Sequence, residues 1–158
     1  MEKIVPNLWF DTEAEEAAEF YVSLFDDSKI LEAVPYGEAG PGEPGTVMLV
    51  SFQLAGQEYV AINGGPQFPF TEAVSFEIRC EDQAEVDRLW DALTADGGQE
   101  VQCGWLKDKY GLSWQIVPKR WIEIATASDP QKVQAAFKAM LGMKKLDIAE
   151  LERAYNEG

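Results

Sequence analysis

The chain repeats its own hydrophobic plan at a nearly fixed offset, and this limits its folds more than any other feature does. "KIVPNLWF" (Lys3–Phe10) alternates as a strand, with Ile4, Leu8 and Phe10 on one face and Val5, Asn7 and Trp9 on the other. "AVSFEIRC" (Ala73–Cys80) alternates likewise, with Val74, Phe76, Ile78 and Cys80 opposed to Ser75, Glu77 and Arg79. A shift of 70 positions superposes Ile4, Pro6, Leu8 and Phe10 on Val74, Phe76, Ile78 and Cys80. A shift of 69 superposes the helical stripe Ala17, Phe20, Tyr21 and Leu24 on Val86, Leu89, Trp90 and Leu93. Strand-like runs follow each helix: "SKILEAVPY", "TVMLVSFQL" and "QEYVAIN" after the first, Gln99–Lys107 and Leu112–Val117 after the second. Strand–helix–strands therefore occurs twice, and two such half-sheets combine with their concave faces enclosing a cavity.

Local signals punctuate this plan. Asp11 or Thr12 is expected to cap the first helix and Asp82 the second, which Asp96-Gly97-Gly98 stops. Ala55-Gly56 reads as a tight hairpin and Asp108–Gly111 as a turn, with Lys107-Asp108-Lys109 solvated. Gly37–Gly45 is rich in Gly and Pro, which predicts a mobile surface loop, and Gly64–Phe70 an irregular connection. Beyond Pro118, Asp129 precedes a helix beginning at Pro130, with Val133, Phe137, Met140 and Leu141 on its apolar side. Asp147 and Glu150 form a capping pair before Ile148, Leu151 and Tyr155. The expected organisation is one domain over 1–158, with modules at about 1–66 and 70–118 and a helical extension over about 120–158.

Charge and residue usage exclude several function classes. Thirteen Lys and Arg against 28 Asp and Glu leave −15, a field that repels nucleic-acid phosphates and anionic lipid. No apolar run approaches the roughly 20 residues of a membrane helix, and "MEKIVPNLWFDTEAEE" lacks the order of a signal peptide. Cys80 and Cys103 form no CxxC pair. A reduced, cytoplasmic protein is expected. There is no histidine, so a site built on imidazole ligands cannot be assembled.

Four stretches, "LWFDTEAEEAAEFYVSLF", "INGGPQFPFTEAVSFEI", "CGWLKDKYGLSWQIVP" and "MLGMKKLDIAELERAY", together resemble the PhnB-like branch of the vicinal oxygen chelate superfamily. That superfamily groups glyoxalases, bleomycin resistance proteins and dioxygenases, and members of this branch are often labelled 3-demethylubiquinone-9 3-methyltransferases. The resemblance runs from about Ile4 to Tyr155. It implies an α+β fold of two βαβββ modules forming a cupped, mixed, glyoxalase-like sheet, and a homodimer. In metal-dependent superfamily members, His and Glu on the inner strands hold a divalent ion. The resemblance puts those positions at Gln115, near Ala73, and among Ile4, Val5 and Pro6, none of which is a strong ligand. No Gly-rich loop of the methyl-donor type follows a strand, and the strands run in groups instead of alternating with helices.

The expected function is therefore metal-free binding of a small molecule, with no cofactor and with neither nucleic acid nor membrane as partner. Trp9 and Trp105 offer flat apolar walls, and Asn7, Asn63, Ser75 and Gln115 offer orienting polar groups. Trp114, next to Gln115, is expected on the opposite, core side of its strand. The alternative is an enzyme, an isomerase, lyase or transferase, with Glu77 as general base, a carboxylate that could instead pair with Arg79 or Lys107. Without a histidine to activate it, Cys103 is expected to be a spectator.

Overall fold

The strand–helix–strand plan is present twice in the computed structural model, which describes residues 2–158. The chain forms two compact units, Met1–Phe70 and Thr71–Gly158.

Unit 1 holds β1 (Asn7–Phe10), α1 (Ala14–Val22), β2 (Lys29–Pro35), β3 (Val47–Leu54) and β4 (Gln57–Asn63). Its sheet has the order β1-β4-β3-β2, with β1 parallel to β4 and the other pairs antiparallel. Leu8, Phe10, Val50, Phe52, Leu54 and Ala61 are buried on one side of the sheet, and Ala14, Ala17, Ala18 and Tyr21 of α1 are buried with them. The small alanines let the helix axis approach the sheet closely, and Tyr21 lies 6.5 Å from Phe52, ring centre to ring centre. Ala55 and Gly56 both have positive φ, 48° and 85°, which makes the β3–β4 hairpin the tight turn expected.

Two expectations in this unit are corrected. Ile4 is 81% exposed, outside the strand that was expected to bury it. Pro6 has no N–H for the ladder, so only its carbonyl pairs, accepting from Val60 at 3.0 Å, and the strand begins at Asn7. Neither Asp11 nor Thr12 caps α1, whose N-cap residue Glu13 makes no capping bond. Asn63 does this work from the neighbouring strand, its Oδ1 accepting from the Ala14 N–H at 2.8 Å. The Gly37–Gly45 loop folds onto buried Tyr36: a Cβ at Gly40 or Gly42 would stand 2.6 or 2.2 Å from that ring, so only glycine fits there.

Unit 2 repeats the topology with β5 (Ser75–Cys80), α2 (Gln83–Thr94), β6 (Gln99–Glu100), β7 (Trp105–Lys107) and β8 (Ser113–Pro118) in the order β5-β8-β7-β6. β5 runs parallel to β8, as β1 does to β4. Cys80, Leu106, Trp114 and Ile116 are buried on one face, with Val86, Leu89, Trp90 and Leu93 of α2. Asp82 caps α2 as expected, accepting from the Glu85 N–H at 2.9 Å. Val74 is 65% exposed, just before β5, and takes no part in the apolar face assigned to it.

The single strand expected over Gln99–Lys107 is broken between β6 and β7. Cys103 and Gly104 adopt positive φ there and donate to the carbonyls of Met143 and Lys144, both at 2.8 Å, instead of to a sheet neighbour. Asp108 is also not solvated. It is 2% exposed, and its carboxylate accepts from the N–H groups of Tyr110 (2.9 Å) and Leu112 (3.1 Å) and from Trp114 Nε1 (2.9 Å).

Beyond β8 come α3 (Lys119–Ala125), α4 (Pro130–Leu141) and α5 (Ile148–Glu157). Sequence signals did not point to α3. Asp129 and Asp147 cap α4 and α5 as expected. The helices share a small core of Ile124, Ala136, Met140, Leu146 and Leu151. Of the residues expected on the apolar side of α4, Met140 is buried, whereas Phe137 and Leu141 are 40% and 56% exposed, and Ala136 takes an inner position. Gln83 of α2 binds this extension at both amide ends, donating to the Leu146 carbonyl (3.0 Å) and accepting from the Ile148 N–H (2.8 Å).

Burial pushes the Cys80 thiol up to about 12, from an ordinary value of 9.0. Because the folded pKa lies above the unfolded one, the contribution of this group to stability is complete below about pH 9 and is lost as pH rises toward about 12. The expected outcome is that the denaturant midpoint falls more steeply over that alkaline window for the wild type than for Cys80→Ala. Parallel pH profiles for the two proteins would contradict it.

Candidate functional site

The buried residues of α2 pack with Leu106, Trp114 and Ile116 on one face of the unit 2 sheet. On the other face the strand register sets side chains in rows. Glu77 of β5 is paired with Gln115 of β8, and Gln115 with Trp105 of β7. The next row is Ser75, Ser113 and Lys107. Because directly paired residues point the same way, all six stand on the face opposite Trp114 and Ile116. Gln115 is half-buried on this second face and Trp114 is in the core, as the alternation implied.

Hydrogen bonds fix the polar groups of these rows. Gln115 Nε2 donates to Ser75 Oγ at 2.9 Å. Glu77 forms an ion pair with Arg79 at 2.8 Å, its side chain 38% exposed. Lys107 pairs with Glu72 and, by that bond and its charge, holds the Glu72 carboxyl below the ordinary carboxylate range. Ser113 is 1% exposed, and its Oγ has no hydrogen-bond partner among the described residues. Neither Ser113 nor Lys107 was singled out as a site residue from sequence. The available signal was the alternation of Ser113, Gln115 and Val117 against Trp114 and Ile116.

The remaining sequence candidates lie in unit 1. Trp9 stacks edge to face with Phe68, centroids 5.0 Å apart, and its Nε1 donates to the Gly65 carbonyl at 2.9 Å. Gly64 makes room for it, since a Cβ there would lie 2.2 Å from the indole. Phe70 packs on Phe10 at 5.3 Å. Asn7 is exposed and donates to the Val5 carbonyl. Asn63 is paired with Phe10, so it stands on the helix-covered face, opposite Trp9. Besides capping α1 it donates to the Val47 carbonyl at 3.0 Å. It also lines a cleft of about 630 Å³ with Asp11, Glu15, Tyr36, Glu43 and Gln67. Ser75, Glu77, Trp105 and Gln115 thus come together in unit 2, and Asn7, Trp9 and Asn63 belong to unit 1.

The donor set does not fit a divalent metal. Gln115 offers only a neutral amide, whose nitrogen is spent on Ser75, and Ala73, Ile4, Val5 and Pro6 offer no side-chain donor. Among the described residues, no group of three or more Cys, Asp or Glu is placed to hold an ion.

The family model described as 3-demethylubiquinone-9 3-methyltransferase matches residues 2–117. The chain belongs to that family. A PhnB protein from Bacillus cereus shares 40% identity over 74% of this chain and 99% of its own, with a TM-score of 0.68. Protein PA1353 from Pseudomonas aeruginosa is 21% identical over 75% of this chain and 98% of its own, with a TM-score of 0.60, and shows the same fold. A glyoxalase/bleomycin resistance protein from Albidiferax ferrireducens is 11% identical over 71% of this chain and 93% of its own, with a TM-score of 0.48. No curated protein matches. The fold is α+β, each unit carrying one βαβββ module. The family match ends before α3, short of the Ile4–Tyr155 span over which the resemblance was read, so the three C-terminal helices lie beyond it. No helix is long and apolar enough to cross a membrane, among the described residues.

Proposed function

We propose that this PhnB-like protein binds a small molecule without a metal, at Ser75, Trp105 and Gln115 on the face of the unit 2 sheet opposite Trp114. The observation that carries the reading is the 2.9 Å bond from Gln115 to Ser75. Where metal-dependent relatives are expected to present a ligand carboxylate, this chain presents an amide already oriented by a neighbouring hydroxyl. Such a group recognises a guest by hydrogen bonding, and Trp105, beside it in the same row, supplies a flat apolar surface. The reading extends to a cytoplasmic homodimer, on the general habit of the family and on the −15 charge, which suits a soluble protein.

A second reading is an enzyme with Glu77 as base, favoured by its place in the row with Gln115 and Trp105. The ion pair with Arg79 weighs against it, because the carboxylate already has a partner. Methyl transfer, the activity in the family description, finds no support in the strand-to-helix connections. Residues 11–13 and 81–82 there contain no glycine to cradle a methyl donor.

The test is amide-shift mapping of the ¹⁵N-labelled chain against a library of small aromatic compounds in the presence of a chelator. Shifts at Ser75, Trp105 and Gln115 are expected. A library that leaves these amides unmoved would refute the reading, and so would binding that required zinc, nickel or iron to be restored. Glu77→Gln separates the two readings: a binder keeps its ligand, and an enzyme keeps affinity while losing turnover.

A further inference from the structure

Trp105 is the apolar wall of the proposed site, and its place depends on a part of the chain far off in sequence. Its N–H donates to the Gln102 carbonyl at 3.1 Å and its carbonyl accepts from the Val101 N–H at 2.9 Å, so both main-chain groups turn back into the β6–β7 break. The connection between α4 and α5 holds that break. The carbonyls of Met143 and Lys144 accept from the N–H groups of Cys103 and Gly104, both at 2.8 Å. The Gly104 carbonyl accepts from the Ile116 N–H of β8, also at 2.8 Å, so this residue joins the extension to the sheet directly beside Trp105. Leu146, 1% exposed, closes against it: a Cβ at Gly104 would lie 3.1 Å from the leucine Cγ. From α2, Gln83 donates to the Leu146 carbonyl at 3.0 Å and accepts from the Ile148 N–H at 2.8 Å, and Asp87 pairs with Lys145 at 2.9 Å. Residues 143–148 lie beyond the 2–117 span of the family match.

We propose that the α4–α5 connection, clasped by Gln83, is the positioning element for Trp105, and that through it the C-terminal extension regulates how tightly this site holds an aromatic guest. This rests on the binding reading of the same site. A flat guest that stacks on Trp105 and bonds to Gln115 needs the indole and the amide in a fixed relation, and the two residues are direct cross-strand partners. Gln115 is fixed within the sheet by its bond to Ser75. Trp105 is fixed on its N-terminal side by the turn at residues 101–104, whose free N–H groups the extension takes up. From Gln83 to Trp105 every step is a hydrogen bond or a neighbouring residue: Gln83 to Leu146, residues 146 to 144, Lys144 to Gly104, Gly104 to Trp105. Loosening the connection frees the turn and misplaces the indole. Linkage makes the effect reciprocal, so a guest seated on Trp105 must in turn tighten the bonds from Cys103 and Gly104 to the extension. Gln83 and Leu146 touch no guest and act only through Trp105.

The test compares the full-length ¹⁵N-labelled wild type with Gln83→Leu, Leu146→Ala and Ile124→Ala, the last opening a cavity in the same helical core from α3. The probe is 2-naphthamide, which is flat and both donates and accepts hydrogen bonds, and Trp105→Phe identifies the Trp105 indole signal. Gln83→Leu and Leu146→Ala are expected to displace that signal without ligand and to weaken 2-naphthamide about fivefold or more. Ile124→Ala is expected to lower the melting temperature as Leu146→Ala does, with the indole signal and the affinity kept. In the wild type, 2-naphthamide is expected to slow hydrogen exchange at the Cys103 and Gly104 amides. An indole signal or an affinity unchanged in both Gln83→Leu and Leu146→Ala would overturn the proposal, as would exchange at Cys103 and Gly104 that ignores the probe. Equal displacement by Ile124→Ala would also overturn it, since the cause would then be general loosening of the helical core. If 2-naphthamide binds the wild type and the variants alike, the positioning role fails and the binding reading stands. If no library compound, 2-naphthamide included, shifts Ser75, Trp105 and Gln115 in the wild type, the binding reading fails and this inference with it.

Discussion

Asp108→Ala is expected to lower the unfolding free energy by about 3–5 kcal/mol, the largest effect of any single polar substitution foreseen in this chain. The carboxylate is buried and accepts from two backbone N–H groups and from Trp114 Nε1. Removing it takes this acceptor from all three donors, and two of these bonds, those from Leu112 and Trp114, lie in the buried interior. Each orphaned buried donor costs about 1–3 kcal/mol. For a chain of this size the melting temperature should drop by roughly 10 °C, read by circular dichroism. Asp108→Asn keeps one acceptor oxygen and should cost about half as much. The substitution should also reach the candidate site, because the turn it anchors sets the β7–β8 register that pairs Lys107 with Ser113 and Trp105 with Gln115. A melting temperature unchanged to within a degree would show that the turn does not depend on this side chain.

Removal of residues 119–158 is the second large expectation. The Bacillus cereus relative is matched over 99% of its length by only 74% of this chain, which suggests that a module can stand without such an extension. In this chain, however, the extension has been built into unit 2. It accepts the Cys103 and Gly104 N–H groups at the strand break and binds Gln83 at both amide ends. Leu146 is 1% exposed in the helical core and close to Gly104. Truncation after Pro118 strips these partners at once and should cost about 4 kcal/mol or more. Leu146→Ala alone should cost about 2–4 kcal/mol by leaving a cavity. A truncated chain with an unchanged denaturant midpoint would refute the structural role of the extension.

Much of the fold was legible because its signals are local. The repeat of alternating strand and striped helix is written in the order of apolar residues, and both units follow it. Asp82, Asp129 and Asp147 cap helices that begin within a few residues of them, so spacing alone revealed them. Two of the misses, at the α1 cap and at the β6–β7 break, share one physical cause, which is a partner distant in sequence. Asn63 caps α1 across 49 positions, which no local pattern announces, and parallel pairing of β1 with β4 brings it there. The strand predicted through Cys103 breaks because carbonyls at Met143 and Lys144 claim its N–H groups. Asp108 reads as solvated between two lysines until Trp114, six residues on, is seen to donate to it.

The candidate site was half legible for the same reason. Alternation along β8 separated Gln115 from Trp114, and alternation along β5 put Ser75 with Glu77. Cross-strand register, which only the folded sheet supplies, added Ser113 and Lys107 to the group and left Asn63 on the helix side of the other unit.

The most direct measurement is a calorimetric titration of the aromatic compound that most shifts Ser75, Trp105 and Gln115, run once in a chelator and once with zinc in place of the chelator. The same affinity is expected in both, because the proposed site at Ser75, Trp105 and Gln115 would recognise its guest through hydrogen bonding and an apolar surface. Binding that disappears in the chelator and returns with the metal would contradict it.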